Sequence, residues 1–145
     1  MPGVLLLVED NADDEELILR ALRKSDLNPR VVVAHDGLAA LDYLHDAGPL
    51  EVDPDSPSFV LLDLNLPKLS GLEVLRRIRA DERTRRLPVV ILTSSREERD
   101  ISSSYELGAS SYVRKPISSE RFADVIRQVG AYWLRVNEAA PPAVG

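Results

Sequence analysis

The chain has 145 residues, of which 44% are hydrophobic and 29% charged, as in one globular domain with a sizeable core rather than a disordered chain. Its net charge of -6 argues against a broad nucleic-acid-binding surface. The absence of cysteine excludes disulfides, thiolate metal ligands and cysteine nucleophiles, and it favours a cytoplasmic protein. The apolar run Val4–Val8 is too short for a membrane anchor, and no basic segment of a signal peptide precedes it.

Four short apolar runs and one further short strand segment alternate with five segments of helical periodicity. Continuous apolar runs of this length predict strands that are buried on both faces. The predicted strands are Val4–Val8, Arg30–Ala34, Phe59–Leu62, 89–92 and 111–113. The predicted helices cover 13–22, 38–44, Gly71–Ala80, 96–107 and 119–136. The alternation predicts an α/β fold, a doubly wound parallel sheet with helices on both faces and right-handed crossovers.

Local signals support several of these boundaries. Asp13, Asp14 and Glu15 in the first turn of the first helix suit the positive end of the helix dipole. Ser118 or Ser119 is expected to cap the last helix. The apolar stripe of that helix is Phe122, Val125, Ile126, Val129, Tyr132, Trp133 and Val136. Residues 47–58 form a proline-containing loop, and we expect one domain over 1–137 with a flexible tail over 138–145.

Polar residues stand at the carboxyl ends of four predicted strands. Glu9 and Asp10 follow the first, Asp63 the third, Thr93 the fourth and Lys115 the fifth. In an open parallel sheet the ligand crevice lies beyond these ends, where the strand order reverses. If the first and third strands are neighbours, three carboxylates meet there.

Three carboxylates at close range raise each other's pKa or require a cation. A cluster of oxygen ligands without histidine or cysteine suits Mg2+. An ammonium from Lys115 and a hydroxyl from Thr93 would complete a site for a phosphoryl group, with Asp63 as the nucleophile, since carboxylates form acyl phosphates. Each residue alone has a simpler interpretation, as a helix-start acid, a turn former, a strand-end cap or a surface lysine. Their joint placement favours the phosphoryl site.

The sequence resembles the receiver domains of two-component response regulators over residues 4–136. The motifs are Val8-Glu9-Asp10-Asn11, Leu62-Asp63-Leu64-Asn65-Leu66-Pro67, Leu92-Thr93-Ser94 and Val113-Arg114-Lys115-Pro116. The resemblance implies a five-stranded sheet in the order 2-1-3-4-5, the flavodoxin-like doubly wound order.

The resemblance also implies roles for individual residues. Asp63 would be the phosphoacceptor, and Lys115 would pair with the phosphoryl group. Mg2+ would be held by Asp10, the Asp63 side chain and the backbone carbonyl of Asn65, with Glu9 acting through water. Glu9 replaces the aspartate that is more usual at its position. The Lys115–Pro116 bond would be cis.

An output switch is implied as well. In receivers a threonine hydroxyl moves to the phosphoryl group and an aromatic ring on strand five turns inward, and here the pair would be Thr93 and Tyr112. The features Asp-Leu-Asn-Leu-Pro, Ser-Tyr-Glu-Leu-Gly at 104–108 and the long last helix resemble stand-alone receivers paired with phytochrome-type histidine kinases. These relatives are commonly homodimers, formed through the last helix or the face of helix 4, strand 5 and helix 5. Trp133 would be either core packing or an aromatic anchor of a dimer.

Three functions compete at this point. The leading hypothesis is a stand-alone receiver that takes a phosphoryl group from a sensor histidine kinase and acts through protein contacts without nucleic acid or membrane. The resemblance implies a kinase of bacteriophytochrome type. The receiver would catalyse only its own phosphorylation and dephosphorylation. A phosphatase of haloacid-dehalogenase type would need an aspartate at the position of Asn65. A flavodoxin-like binder would need a phosphate loop where Glu9 and Asp10 stand.

Overall fold

A computed structural model of the chain describes residues 3–46 and 56–141. The strands are β1 (Val4–Val8), β2 (Arg30–Ala34), β3 (Phe59–Leu62), β4 (Val89–Thr93) and β5 (Ser111–Arg114). The helices are α1 (Ala12–Lys24), α2 (Gly37–Asp46), α3 (Gly71–Ala80), α4 (Glu98–Glu106) and α5 (Ser119–Ala131), and one π-helical turn covers Tyr132–Val136. Most of the loop predicted at 47–58 and the end of the tail lie outside the described residues, so the boundary at 137 stays a prediction.

The five strands form one parallel sheet in the order β2-β1-β3-β4-β5, which confirms the predicted topology. The register aligns Val8 with Leu62 and Leu62 with Ile91, so the carboxyl ends of β1, β3 and β4 lie at one edge. β1 and β3 are neighbours at the point where the strand order reverses. This adjacency is the condition under which the three carboxylates meet.

Alternate side chains of the central strands enter two separate cores, as the two-residue repeat of a strand requires. Leu5 and Leu7 lie in the core covered by α1 and α5, and Leu6 and Val8 lie in the core covered by α2 and α3. The central strands β1, β3 and β4 are therefore buried on both faces, which explains why they read as apolar runs. No helix in the described part of the chain has the length and apolar character that a bilayer span requires.

The end of the last helix differs from its predicted stripe. The α-helix stops at Ala131, and the π-helical turn follows with a hydrogen bond from the backbone N–H of Asn137 to the carbonyl of Tyr132 at 2.7 Å. This wider turn breaks the 3.6-residue repeat, so Tyr132 and Val136 face solvent while Trp133 stays against the core. The Trp133 ring stacks on Phe59 with centroids 6.4 Å apart, which favours the core-packing interpretation.

Gly71 fixes the loop that follows β3. A Cβ atom at this position would lie 2.2 Å from the carbonyl oxygen of Asp63 and 2.7 Å from the Cα of Leu64. The backbone N–H of Gly71 donates to the carbonyl of Leu64 at 3.0 Å. The start of α3 therefore packs directly on the backbone that carries Asp63, and only glycine leaves room for this approach.

Candidate functional site

Three carboxylates converge at the carboxyl edge of the sheet. Glu9, Asp10 and Asp63 each present an oxygen, and these oxygens all lie within 4.8 Å of one another. Glu9 and Asp63 are buried, while Asp10 is exposed. The backbone N–H of Asp63 donates to the carbonyl of Val8 at 3.1 Å, so the ladder between β1 and β3 continues to the acidic residue itself. The sheet thereby holds the acids together against their mutual repulsion.

Lys115 joins this cluster from β5. Its backbone N–H donates to the carbonyl of Thr93 at 2.8 Å, which extends the pairing of β4 with β5 by one residue. Its ammonium donates to Glu9 Oε1 at 2.7 Å, to Asp14 Oδ2 at 2.8 Å and to Asp63 Oδ2 at 2.8 Å. All three N–H bonds of the ammonium are used, and each goes to a carboxylate.

The buried charges alter the pKa values of two groups. Burial raises the pKa of Glu9 to about 7, with the negative charge of Asp63 adding to the effect and the hydrogen bond from Lys115 opposing it. Burial acts to lower the pKa of Lys115, but its hydrogen bonds to Asp14, Asp63 and Glu9 outweigh burial and raise it. Lys115 is therefore a permanent cation, whereas Glu9 changes its charge near neutral pH.

The donor set fits a hard divalent cation. Its atoms are carboxylate oxygens only. Two oxygens bound to one Mg2+ ion lie at most about 4.2 Å apart, and the three oxygens of the cluster already lie within 4.8 Å of one another. A small contraction of the cluster is therefore enough for Mg2+ binding. Exposed Asp10 leaves one side of the cluster open to water. Asn65 lies beside the cluster, because its backbone N–H donates to Asp63 Oδ1 at 3.1 Å. The role of its carbonyl as a metal ligand stays a prediction.

Thr93 and Tyr112 are linked through one residue. Thr93 is fully buried at the end of β4, and its hydroxyl lies 3.5 Å from the backbone N–H of Ser95, a long hydrogen bond. The Tyr112 hydroxyl donates to the carbonyl of the same Ser95 at 3.1 Å, and the ring packs half-buried against the core under α2 and α3. Burial also raises the pKa of Tyr112. The two proposed switch residues therefore share a neighbour in this conformation.

One expectation from the resemblance is wrong in the structure: the Lys115–Pro116 peptide bond is trans, not cis. The trans form of a bond before proline is favoured by about 0.5–1 kcal/mol. Lys115 reaches all three of its carboxylate partners from the trans form, so its contacts in this conformation do not require the cis form.

Asp14 is the site residue that sequence reasoning did not identify. The sequence indicates only a favourable charge in the first turn of α1, yet the Asp14 carboxylate binds Lys115 directly. The position of Asp14 in the sequence does indicate this contact. Side chains in a helix lean toward its N-terminus, so an acid in the first turn after β1 leans back toward the strand end.

The comparisons with known proteins agree with this geometry. A family model described as "Response regulator receiver domain" matches residues 5–127. The probable methanogenesis regulatory protein FilR2 of Methanothrix harundinacea is 41% identical over 144 residues, which cover 98% of this chain and 90% of FilR2. The response regulator Rcp1 of Synechocystis sp. is 38% identical over 133 residues, which cover 92% of this chain and 90% of Rcp1.

Two of the solved structures that match this fold cover nearly the whole chain. The phosphorylated cyanobacterial phytochrome response regulator RcpA has a TM-score of 0.88 at 35% identity and covers 97% of this chain and 100% of its own. The Mn2+-bound form of Rcp1 has a TM-score of 0.86 at 36% identity with the same coverage.

These matches confirm the resemblance to receivers and to those of phytochrome signalling, and they lend no support to the phosphatase hypothesis. On the family match, on relatives matched over 90% of their length and on the shared fold, the chain belongs to the family of response regulator receiver domains.

Proposed function

We propose that this receiver accepts a phosphoryl group on Asp63 from the phosphohistidine of a partner kinase, with Mg2+ bound, and thereby switches a protein-interaction surface. The observation that carries the proposal is that Asp63 contacts the Lys115 ammonium at 2.8 Å and clusters with Glu9 and Asp10, two further acids that can hold a cation. The protein would catalyse only its own phosphorylation and dephosphorylation.

The chemistry needs one bond to form and one to break. An oxygen of Asp63 attacks phosphorus, and the bond from phosphorus to the histidine nitrogen breaks, with its electron pair staying on the imidazole. Asp10, Asp63 and the carbonyl of Asn65 would hold Mg2+, with Glu9 acting through water, and the ion would neutralise phosphoryl oxygens when bound. The Lys115 ammonium neutralises another oxygen, and the hydrogen bond from the N–H of Asn65 orients the Asp63 carboxylate.

The switch would follow from new acceptor oxygens beside Thr93. A phosphoryl group adds charge and three strong acceptors, which the Thr93 hydroxyl can reach by moving toward them. That movement would weaken the hydrogen bond between Thr93 and Ser95. The Tyr112 hydroxyl, which donates to the carbonyl of Ser95, would then be free to shift. The surface of α4, β5 and α5 would then change.

The direct test is mass spectrometry of the intact protein after incubation with acetyl phosphate and Mg2+. We expect a mass increase of one phosphoryl group in the wild type and none in Asp63→Asn. Asp13→Asn is the matched control, because Asp13 is an exposed acid on α1 outside the cluster, and it should still be modified. A phosphoryl mass that persists in Asp63→Asn would refute the assignment.

A kinase of phytochrome type is the partner we propose, because RcpA is a phytochrome response regulator and its structure matches this fold over nearly the whole chain. Transfer of the phosphoryl group would take place in the cytoplasm, as the absence of cysteine from the sequence suggests. Neither nucleic acid nor a membrane has a part in it. Phosphotransfer assays with purified kinases from the same genome would identify the donor.

Self-association is a further part of the proposal, through the face of α4, β5 and α5 or through the end of the last helix. On the first face, Ile117 is 96% exposed beside a groove of about 600 Å3. At the helix end, Tyr132 and Val136 are exposed apolar side chains. Analytical ultracentrifugation should show a dimer that Ile117→Asp or Tyr132→Asp dissociates, according to the face used. A monomer at every concentration, phosphorylated or not, would contradict self-association.

A further inference from the structure

We propose that Asp14 is a positioning residue for cation binding: it holds the Lys115 ammonium while Glu9 and Asp63 turn to a divalent ion. This inference rests on the proposed function, since it concerns the metal step that precedes phosphorylation.

The contacts of Lys115 separate its partners into two kinds. Glu9 and Asp63 belong to the carboxylate cluster that can hold a metal, and each accepts one hydrogen bond from Lys115. Asp14 accepts the third at 2.8 Å but does not belong to that cluster. A cation bound by the cluster therefore competes with Lys115 for Glu9 and Asp63, and it leaves the contact with Asp14 intact.

Electrostatics makes this third contact important. When a dication occupies the cluster, Lys115 loses two of its anionic partners and gains a repulsive neighbour at short range. The Lys115 side chain is only 9% exposed, so water is a poor substitute for the lost partners. A carboxylate that is not a metal ligand offsets both effects, because it stays beside the ammonium as a negatively charged partner.

The N-cap of α1 fixes the position of Asp14. Its own backbone N–H donates to Oδ1 of Asn11, the N-cap of α1, at 2.9 Å. Its side chain is 24% exposed, so water still solvates its carboxylate, whereas the side chain of Glu9 is 1% exposed. The first turn of α1 therefore presents a carboxylate to Lys115 from outside the cluster.

Calorimetric titration with Mg2+ at about pH 8, where Glu9 is ionised, tests the proposal. We expect Asp14→Asn to bind Mg2+ about tenfold more weakly than the wild type, at the lower end of the range for residues that support a metal site without binding the metal. Asp14→Glu, which keeps the charge, should recover most of the affinity. Asp13→Asn removes the same charge one residue away, from an exposed side chain, and should have little effect.

A double-mutant cycle tests whether Asp14 acts through Lys115. In a Lys115→Met background, Asp14→Asn should change the Mg2+ affinity much less than it does in the wild type. If Lys115→Met does not fold, the comparison with Asp13→Asn decides alone. Equal affinity of Asp14→Asn and the wild type, or an equal loss in Asp13→Asn, would overturn the proposal.

The two proposals fail separately. A protein that acquires a phosphoryl group on Asp63 while Asp14→Asn keeps normal Mg2+ affinity would retain the proposed function and lose the role of Asp14. A protein whose Mg2+ affinity depends on Asp14 but which never acquires a phosphoryl group would do the reverse. A wild type that binds no Mg2+ would overturn both.

Discussion

Replacing Lys115 with methionine should lower the free energy of unfolding by about 3–5 kcal/mol at about pH 8 in the absence of divalent metal. Methionine keeps most of the volume of the side chain but removes the ammonium. Glu9 and Asp63 are buried, and each loses a hydrogen bond of 2.7–2.8 Å to a positive charge. A buried charge left without its partner costs far more than the net contribution of the intact pair. Urea denaturation of both proteins in a chelator measures the difference.

A surface pair supplies the matched control. Lys68 lies 3.5 Å from Asp36 with its side chain 64% exposed, so Lys68→Met should change the unfolding free energy by less than about 1 kcal/mol. Excess Mg2+ should restore part of the stability of Lys115→Met, because a cation on the cluster replaces the missing positive charge. Equal losses in the two variants would mean that Lys115 contributes no more than a surface lysine.

Much of the site could be predicted from the sequence because strand ends in a parallel sheet share one edge. The apolar runs placed Glu9, Asp63, Thr93 and Lys115 at those ends, and the hydrogen-bonded ladder of the structure brings them together there. The strand order itself came from the family resemblance. Apolar periodicity does not distinguish one order of five similar buried strands from another.

Other features depended on information that patterns do not contain. The role of Asp14 comes from where a first-turn side chain leans in three dimensions, and the charge alone indicated only a favourable helix start. The π-helical turn at Tyr132–Val136 has no signature in the apolar stripe, and the stack of Trp133 on Phe59 is a long-range contact that accompanies it. The trans bond before Pro116 differs from the family expectation and follows the general preference of bonds before proline.

The stability of the metal-free protein should fall as the pH rises from about 4.5 to about 7, and Glu9→Gln should lack this loss. Burial raises the pKa of Glu9 in the folded state to about 7, against 4.5 for an ordinary glutamate. Between these pH values the folded state keeps a proton that the unfolded state has released, so folding is favoured at the acidic end and loses this advantage as the pH rises through 7. Above that pH Glu9 is ionised in both the folded and the unfolded state, so its contribution to stability no longer changes with pH.

The comparison of wild type with Glu9→Gln isolates this group, because other ionisable residues titrate alike in the two proteins. Glutamine keeps the shape of the side chain and an acceptor for Lys115. The wild-type unfolding free energy should drop relative to that of the variant by about 3 kcal/mol across the interval, at about 1.4 kcal/mol per pKa unit. Urea denaturation at a series of pH values in a chelator gives both curves, and parallel curves would contradict a raised pKa. A confirmed shift means that a cation binding to Glu9 below about pH 7 must displace a proton, so Mg2+ affinity will rise with pH over the same range.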